Sequence, residues 1–148
     1  MPDASLFLVV GLPFAAAVAA GFLPTRARNA AAWLAGATAV ACLVLLWTAY
    51  PTVAAGGVLR REIAWAPALG LNFVLRIDGF AWLFAGLVMG IGALVVLYAR
   101  YYMSPDDPVP RFFAFLLAFM GSMTGLVVSG NLIQLAFFWE LTTLLSFL

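Results

Sequence analysis

The chain has 148 residues, of which 66% are hydrophobic and 9% charged, with seven basic side chains against six acidic ones and a net charge of +1. A soluble domain carries about 25% charged residues, so this chain cannot coat a core against water, and it lacks the basic surface of a nucleic-acid binder. It is also too apolar to be disordered, which leaves an all-α polytopic membrane protein whose solvent is the lipid bilayer.

A membrane-spanning helix needs about 20 apolar residues, and five such runs can be drawn. The first covers residues 4–23. Its front end carries Asp3 and no Lys or Arg, unlike the positive flank of a secretory signal, so it reads as a permanent helix. The second covers residues 29–50. Beyond it, Leu71, Phe73, Leu75 and Ile77 alternate with Asn72, Arg76 and Asp78, and Arg61, Ile63 and Trp65 alternate more weakly with Glu62 and Ala64. A period of two marks a half-buried strand. Pro67 and Gly70 supply turn chemistry, so a short β-hairpin is expected over residues 59–78, lying on one membrane face; the alternative is an irregular loop.

The third helix is expected over residues 79–101, with Gly86 and Gly90 on one face. Ser104 to Pro110 form an aqueous connection whose three prolines forbid a continuous helix. The fourth helix covers 111–128, with Gly121 and Gly125 on one face. Small residues at this spacing let helix backbones approach closely in lipid. Ser129-Gly130 is too short for anything but a tight turn, which makes the fourth and fifth helices antiparallel neighbours. The fifth helix covers 131–148, with Asn131 as its cap. The run stops inside an apolar helix at Ser146-Phe147-Leu148, which predicts the front piece of a longer polypeptide.

All seven basic residues are Arg. Arg26, Arg28, Arg100 and Arg111 flank the two short loops of one side. Arg60, Arg61 and Arg76 belong to the hairpin segment opposite. Counted over short loops, the positive-inside rule puts the first group in the cytoplasm, and the N-terminus and hairpin outside. The chain has no His and a single Cys, which removes imidazole catalysis and a His/Cys metal cage. No phosphate-binding glycine fingerprint occurs. Neither cofactor nor metal is expected.

Five of the six acidic residues fall in loops or at helix ends. Glu140 does not. Counted from Asn131 it is the tenth residue, about 13–14 Å along a helix that rises roughly 1.5 Å per residue, near the middle of a core about 30 Å thick. An ionised carboxylate there costs at least about 2.5–3.5 kcal/mol. It must take up a proton, find a cation on another helix, or line a hydrated cavity. A carboxyl that switches among these states suits a proton relay; the alternative is an interhelical hydrogen bond with no transport role. Ile133, Ala136, Phe137, Thr143, Leu144 and Phe147 share its helical face, and Thr143 is a candidate to support the carboxyl. Gln134 lies off to one side. No Lys exists in the chain and no Arg lies deep in a span, so a counter-charge has to come from elsewhere.

The run Phe137-Phe138-Trp139-Glu140-Leu141-Thr142-Thr143-Leu144 resembles the fifth-helix signature of an antiporter family. So do Phe119-Met120-Gly121-Ser122-Met123 and Gly130-Asn131-Leu132-Ile133 before it, and Asp78-Gly79-Phe80-Ala81 with Leu97-Tyr98-Ala99-Arg100-Tyr101-Tyr102 in the third helix. That family contains the large A-type component of the Mrp Na⁺(K⁺)/H⁺ antiporter and the antiporter-like proton-pumping subunits of respiratory complex I; the Trp-Glu-Leu-Thr-Thr form is nearer the former. The resemblance implies a 14-helix core with an extracytoplasmic hairpin between helices two and three, and other antiporter subunits as partners. It implies Na⁺ and H⁺ as the transported ions. It further implies that Glu140 gates proton movement, paired with a lysine on the seventh helix, beyond this chain. Two other readings stay open: a complex I subunit driven by quinone reduction, and a membrane anchor without an ion path.

Overall fold

The structure, a computed structural model, describes residues 3–66, 71–104 and 107–148. In chain order the elements are α1 (Asp3–Gly21), α2 (Arg28–Trp47), a short α3 (Tyr50–Ala54), β1 (Leu59–Ala66), β2 (Leu71–Ile77), α4 (Gly79–Tyr102), α5 (Val109–Val127) and α6 (Leu132–Phe147). Among the described residues, three helices, α2, α4 and α5, are long and apolar enough to cross a membrane; α6 and the stretch Ser5–Gly21 are apolar but shorter. The expected second helix ends early. Pro51 cannot continue α2 but is tolerated in a first turn, and it opens α3 instead. Pro110 likewise sits in the first turn of α5, which begins ahead of Arg111. The expected turn residues Pro67 and Gly70, and Pro105-Asp106 of the proline loop, lie outside the described residues.

The bundle is small inside and large outside. The buried seam of α2 is Ala31, Ala32, Ala35, Thr38, Ala39, Cys42 and Leu46. That of α4 is Ala81, Ala85, Met89, Gly92, Val96 and Ala99. The bulky side chains of α4, among them Leu87, Ile91, Leu94 and Leu97, point outward. Small residues at helix contacts and large apolar ones outside are the pattern of helices packed in lipid. Helix α5 is central, packing on α1, α2, α4 and α6. Its Gly121 receives the Phe14 ring of α1 and its Gly125 the Phe138 ring of α6. The other glycine pair behaves differently: nothing lies within 4 Å of the side-chain position of Gly86 or Gly90, and it is Gly92 that seats Met120 of α5.

Aromatic rings gather at both ends. Trp47, Tyr50 and Trp82 stack with centroids 5.1 and 5.3 Å apart, and the Trp82 indole donates to the Leu46 carbonyl at 2.8 Å. At the other end Tyr98 stacks on Tyr102, and the Arg100 guanidinium lies 5.2 Å from the Trp33 ring. Such belts mark the two water–lipid boundaries.

One backbone break is repaired across helices. Pro13 lies inside α1 and has no N–H, so the Val9 carbonyl one turn earlier loses its helical donor. The Cys42 thiol of α2 donates to that carbonyl, S to O 3.7 Å, as neighbours commonly do for proline-containing membrane helices. Cys42→Val is expected to destabilise the bundle by about 1 kcal/mol. In a double-mutant cycle read by thermal unfolding, Pro13→Ala is expected to cancel most of that cost by restoring the N–H. Strict additivity of the two substitutions would refute the repair.

Strands β1 and β2 pair antiparallel, with Arg60 opposite Arg76 and Ile63 opposite Phe73, and a register shift between Ile63 and Ala66. The alternation read in the sequence is thus a paired sheet and not an irregular loop. Leu75 and Ile77 are fully buried on one face, yet Val74 on the other face is buried too. The cause is the α5–α6 turn, which covers that side and pairs with the free edge of β2. Arg76 N–H donates to the Val128 carbonyl and Gly130 N–H to the Val74 carbonyl, both at 2.8 Å. Asp78 closes the sheet by capping α4, accepting from Ala81 N–H at 2.9 Å, while its other oxygen meets Arg76 at 3.1 Å.

Candidate functional site

The candidate site is built on α6, and its first turn is held firmly. Asn131 caps the helix, its side-chain oxygen accepting from Gln134 N–H at 2.8 Å. The Asn131 amide donates to the Asn72 carbonyl at 2.8 Å, and the Gln134 side-chain oxygen accepts from Val74 N–H at 2.8 Å. The sequence placed Gln134 off to one side with no role; it is buried and ties the hairpin to α6. The only signal was the three-residue spacing of two amides, which an apolar helix has no other reason to carry.

Beyond that turn α6 divides into two faces. Gln134 and Phe138 are buried against the bundle, and Leu141 and Leu145 continue the same side partly buried. Ile133, Ala136, Phe137, Thr143, Leu144 and Phe147 are exposed, and Glu140 is exposed among them. The face read from helical spacing is therefore one face, and it is the one turned away from α1–α5. Among the described residues, no hydrogen bond or ion pair engages the Glu140 carboxylate. Thr143 shares that face, but its hydroxyl donates back to the Trp139 carbonyl at 3.2 Å. A hydroxyl in a helix readily bonds the carbonyl one turn earlier, so Thr143 is not bonded to the carboxyl.

Among the described residues, the cation nearest the C-terminal part of α6 is Arg111, which lines a pocket with Leu145 and Ser146 but forms no ion pair with Glu140. The Arg28 guanidinium donates to the Arg100 carbonyl, which places the 1–2 and 4–5 helix connections at one end of the bundle. Arg60, Arg61 and Arg76 belong to the sheet at the other end. A carboxylate midway along α6, on a mostly apolar face and without an ion pair among the described residues, can hold a proton or meet a charge brought to that face.

Residues 65–113 match the family described as NADH-ubiquinone oxidoreductase (complex I), chain 5 N-terminus. Over 97% of its length the chain is 60% identical to a probable K⁺/H⁺ antiporter A/B subunit of Rhizobium meliloti (strain 1021), covering 14% of that protein. It is 50% identical, over 62% of its length, to the Na⁺/H⁺ antiporter A-subunit of Alkalihalophilus pseudofirmus, covering 11% of it. Over most of its length the chain is thus similar to the A-type subunits of cation/proton antiporters. Its structure superposes on a chain of the Mrp complex from Dietzia sp. DQ12-45-1b with a TM-score of 0.81 at 30% identity, covering 96% of this chain and 15% of the other. The resemblance carried by Phe137–Leu148 and the third-helix motifs is thereby borne out. The chain spans about a seventh of the length of these A-subunit relatives.

Proposed function

We propose that this chain is the N-terminal membrane segment of a multisubunit monovalent cation/proton antiporter, in which proton influx drives Na⁺ efflux. No covalent chemistry is involved, and the chain is a transporter part, not an enzyme. Five spans cross the plasma membrane, with the N-terminus and the hairpin outside the cytoplasm, as the front part of a 14-helix fold. Glu140 alternates between a protonated state and a charge pair with a lysine elsewhere in the complete protein, and other antiporter subunits surround it. The observation that carries this reading is a lone carboxylate halfway along α6 on an apolar face, in a chain similar to known antiporter components. Holding a charge there is so costly that its protonation must be tied to a counter-charge.

A second reading concerns the ion. The relative that is 60% identical is named for K⁺ and the one at 50% for Na⁺, so K⁺ competes with Na⁺ as the exported cation. The complete complex, reconstituted in vesicles, is expected to move protons against an imposed Na⁺ or K⁺ gradient without any quinone. Flux that requires quinone reduction would favour the complex I reading instead.

The orientation has its own test. Single cysteines replacing Arg60 and Arg26 are expected to react with a membrane-impermeant maleimide on opposite sides. Arg60→Cys should be labelled in intact cells and Arg26→Cys only after permeabilisation; the reverse pattern would invert the topology.

A further inference from the structure

The two ends of the bundle treat their arginines differently. On the hairpin, Arg60 and Arg76 meet carboxylates at 3.3 and 3.1 Å. At the opposite end Arg26, Arg28 and Arg100 form no ion pair among the described residues, and the Asp107 carboxylate accepts from Ser104 N–H instead. Arg28 and Arg100 are nonetheless held in place. The Arg28 guanidinium donates to the Arg100 carbonyl, one of the last carbonyls of α4, which have no helical donor. The Arg100 guanidinium lies 5.2 Å from the Trp33 ring of α2 and 5.8 Å from the Tyr101 ring. A guanidinium carries five N–H donors, so a carbonyl and ring faces occupy these groups only in part and leave their charge uncompensated.

From this corner the outward faces of α2 and α4 run on as one wall. It exposes Trp33, Val40, Val44 and Trp47 of α2 and Leu94 and Tyr101 of α4. Trp33 and Trp47 are fourteen residues apart, about 21 Å of helix rise, and Trp47 joins Tyr50 and Trp82 in the ring cluster of the other end. The seams buried inside the bundle are small instead, with Ala35, Ala39 and Ala85 among them. Helices in lipid turn small residues toward each other, and aromatic rings settle at the headgroup level. A bulky apolar face between two sets of rings is therefore a surface for acyl chains.

Chains laid along this wall end with their headgroups level with Arg28 and Arg100. A phosphate accepts several guanidinium N–H bonds at once. A zwitterionic headgroup would bring its own cation against the arginines, whereas an anionic one supplies only the charge that the corner lacks. We propose that this corner binds an anionic phospholipid, with its phosphate on Arg28 and Arg100, Arg26 adjacent, and its chains along the α2–α4 wall. The site does not depend on the role of Glu140.

Photolabelling of the complete complex in nanodiscs of mixed lipid tests the site. Two probes with identical chains and a diazirine near the headgroup are compared, one a phosphatidylglycerol and the other a phosphatidylcholine. Peptides carrying Trp33 and Tyr101 are expected to take up the anionic probe about tenfold or more over the zwitterionic one, at roughly fivefold per basic residue near an anionic surface. Arg26→Gln alters an exposed side chain and is expected to lower that preference severalfold without disturbing the fold. Arg100→Gln is expected to lower it at least as much, and Arg100→Lys to keep most of it. Equal labelling by both probes in the wild type would overturn the anionic site. No labelling by either, as when another subunit covers the wall, would overturn the lipid contact itself. A preference unchanged in both glutamine variants would place the lipid elsewhere and defeat the assignment.

Discussion

Replacing Glu140 by Gln in the complete complex is expected to lower cation-driven proton flux by about 10²-fold or more, the scale on which a positioned proton-transfer group contributes, while the complex still assembles. Gln keeps the shape and the hydrogen-bonding reach of Glu and removes only its titration. Glu140 makes no hydrogen bond or ion pair among the described residues, and its neighbours on that face are apolar apart from Thr143. Nothing in the packing of α1–α6 therefore depends on its charge, and losing the charge removes a cost of at least about 2.5–3.5 kcal/mol. Flux is read as the collapse of an imposed pH gradient on adding Na⁺ or K⁺ to vesicles. Wild-type flux in the variant would end the transport role. Disassembly would point to the hydrogen-bond reading, in which the carboxyl joins helices and moves no ions.

Gly125→Val is expected to destabilise the bundle by about 1–3 kcal/mol, the usual cost of overfilling a packed site. A side-chain carbon on Gly125 would stand 2.5–2.7 Å from three atoms of the Phe138 ring. That ring cannot easily swing away, since it is 4% exposed and flanked by Phe73 and Phe137 at 6.5 and 5.5 Å. The strain must pass to α6, moving the helix that carries Glu140. A lower unfolding temperature in detergent and a smaller yield of assembled complex are expected. Phe138→Ala in the same chain should restore part of both by vacating the space. A Gly125→Val protein as stable as wild type would mean that the α5–α6 contact is looser than the ring and the glycine imply.

Much of the architecture could be read from residue order. The five apolar runs are all helical, and three of them, α2, α4 and α5, are long and apolar enough to cross a membrane, because a bilayer-length run of apolar residues has few other uses. Asn131 was legible as a cap and residues 71–77 as a strand, since both signals are local. The helical spacing around Glu140 defined a true face. What escaped depends on contacts far apart in sequence. Val74 sits on the polar side of its strand's alternation, and only the arrival of Val128–Gly130 over that side buries it. Gln134 gained its task the same way, from a backbone N–H sixty positions earlier. Four-residue glycine spacing was informative for α5, where Gly121 and Gly125 receive rings, and misleading for α4, where Gly92 is the close contact. Spacing says which residues share a face, but not what lies opposite.

Within this bundle α6 is fastened at two levels. Asn131 and Gln134 bind its beginning to the hairpin, and one turn further on the Phe138 ring seats on Gly125 of α5. Two anchors on the same side set both the depth and the rotation of a helix. The outward bearing of Glu140 is therefore fixed by the hairpin and α5, and by no bond of its own carboxylate.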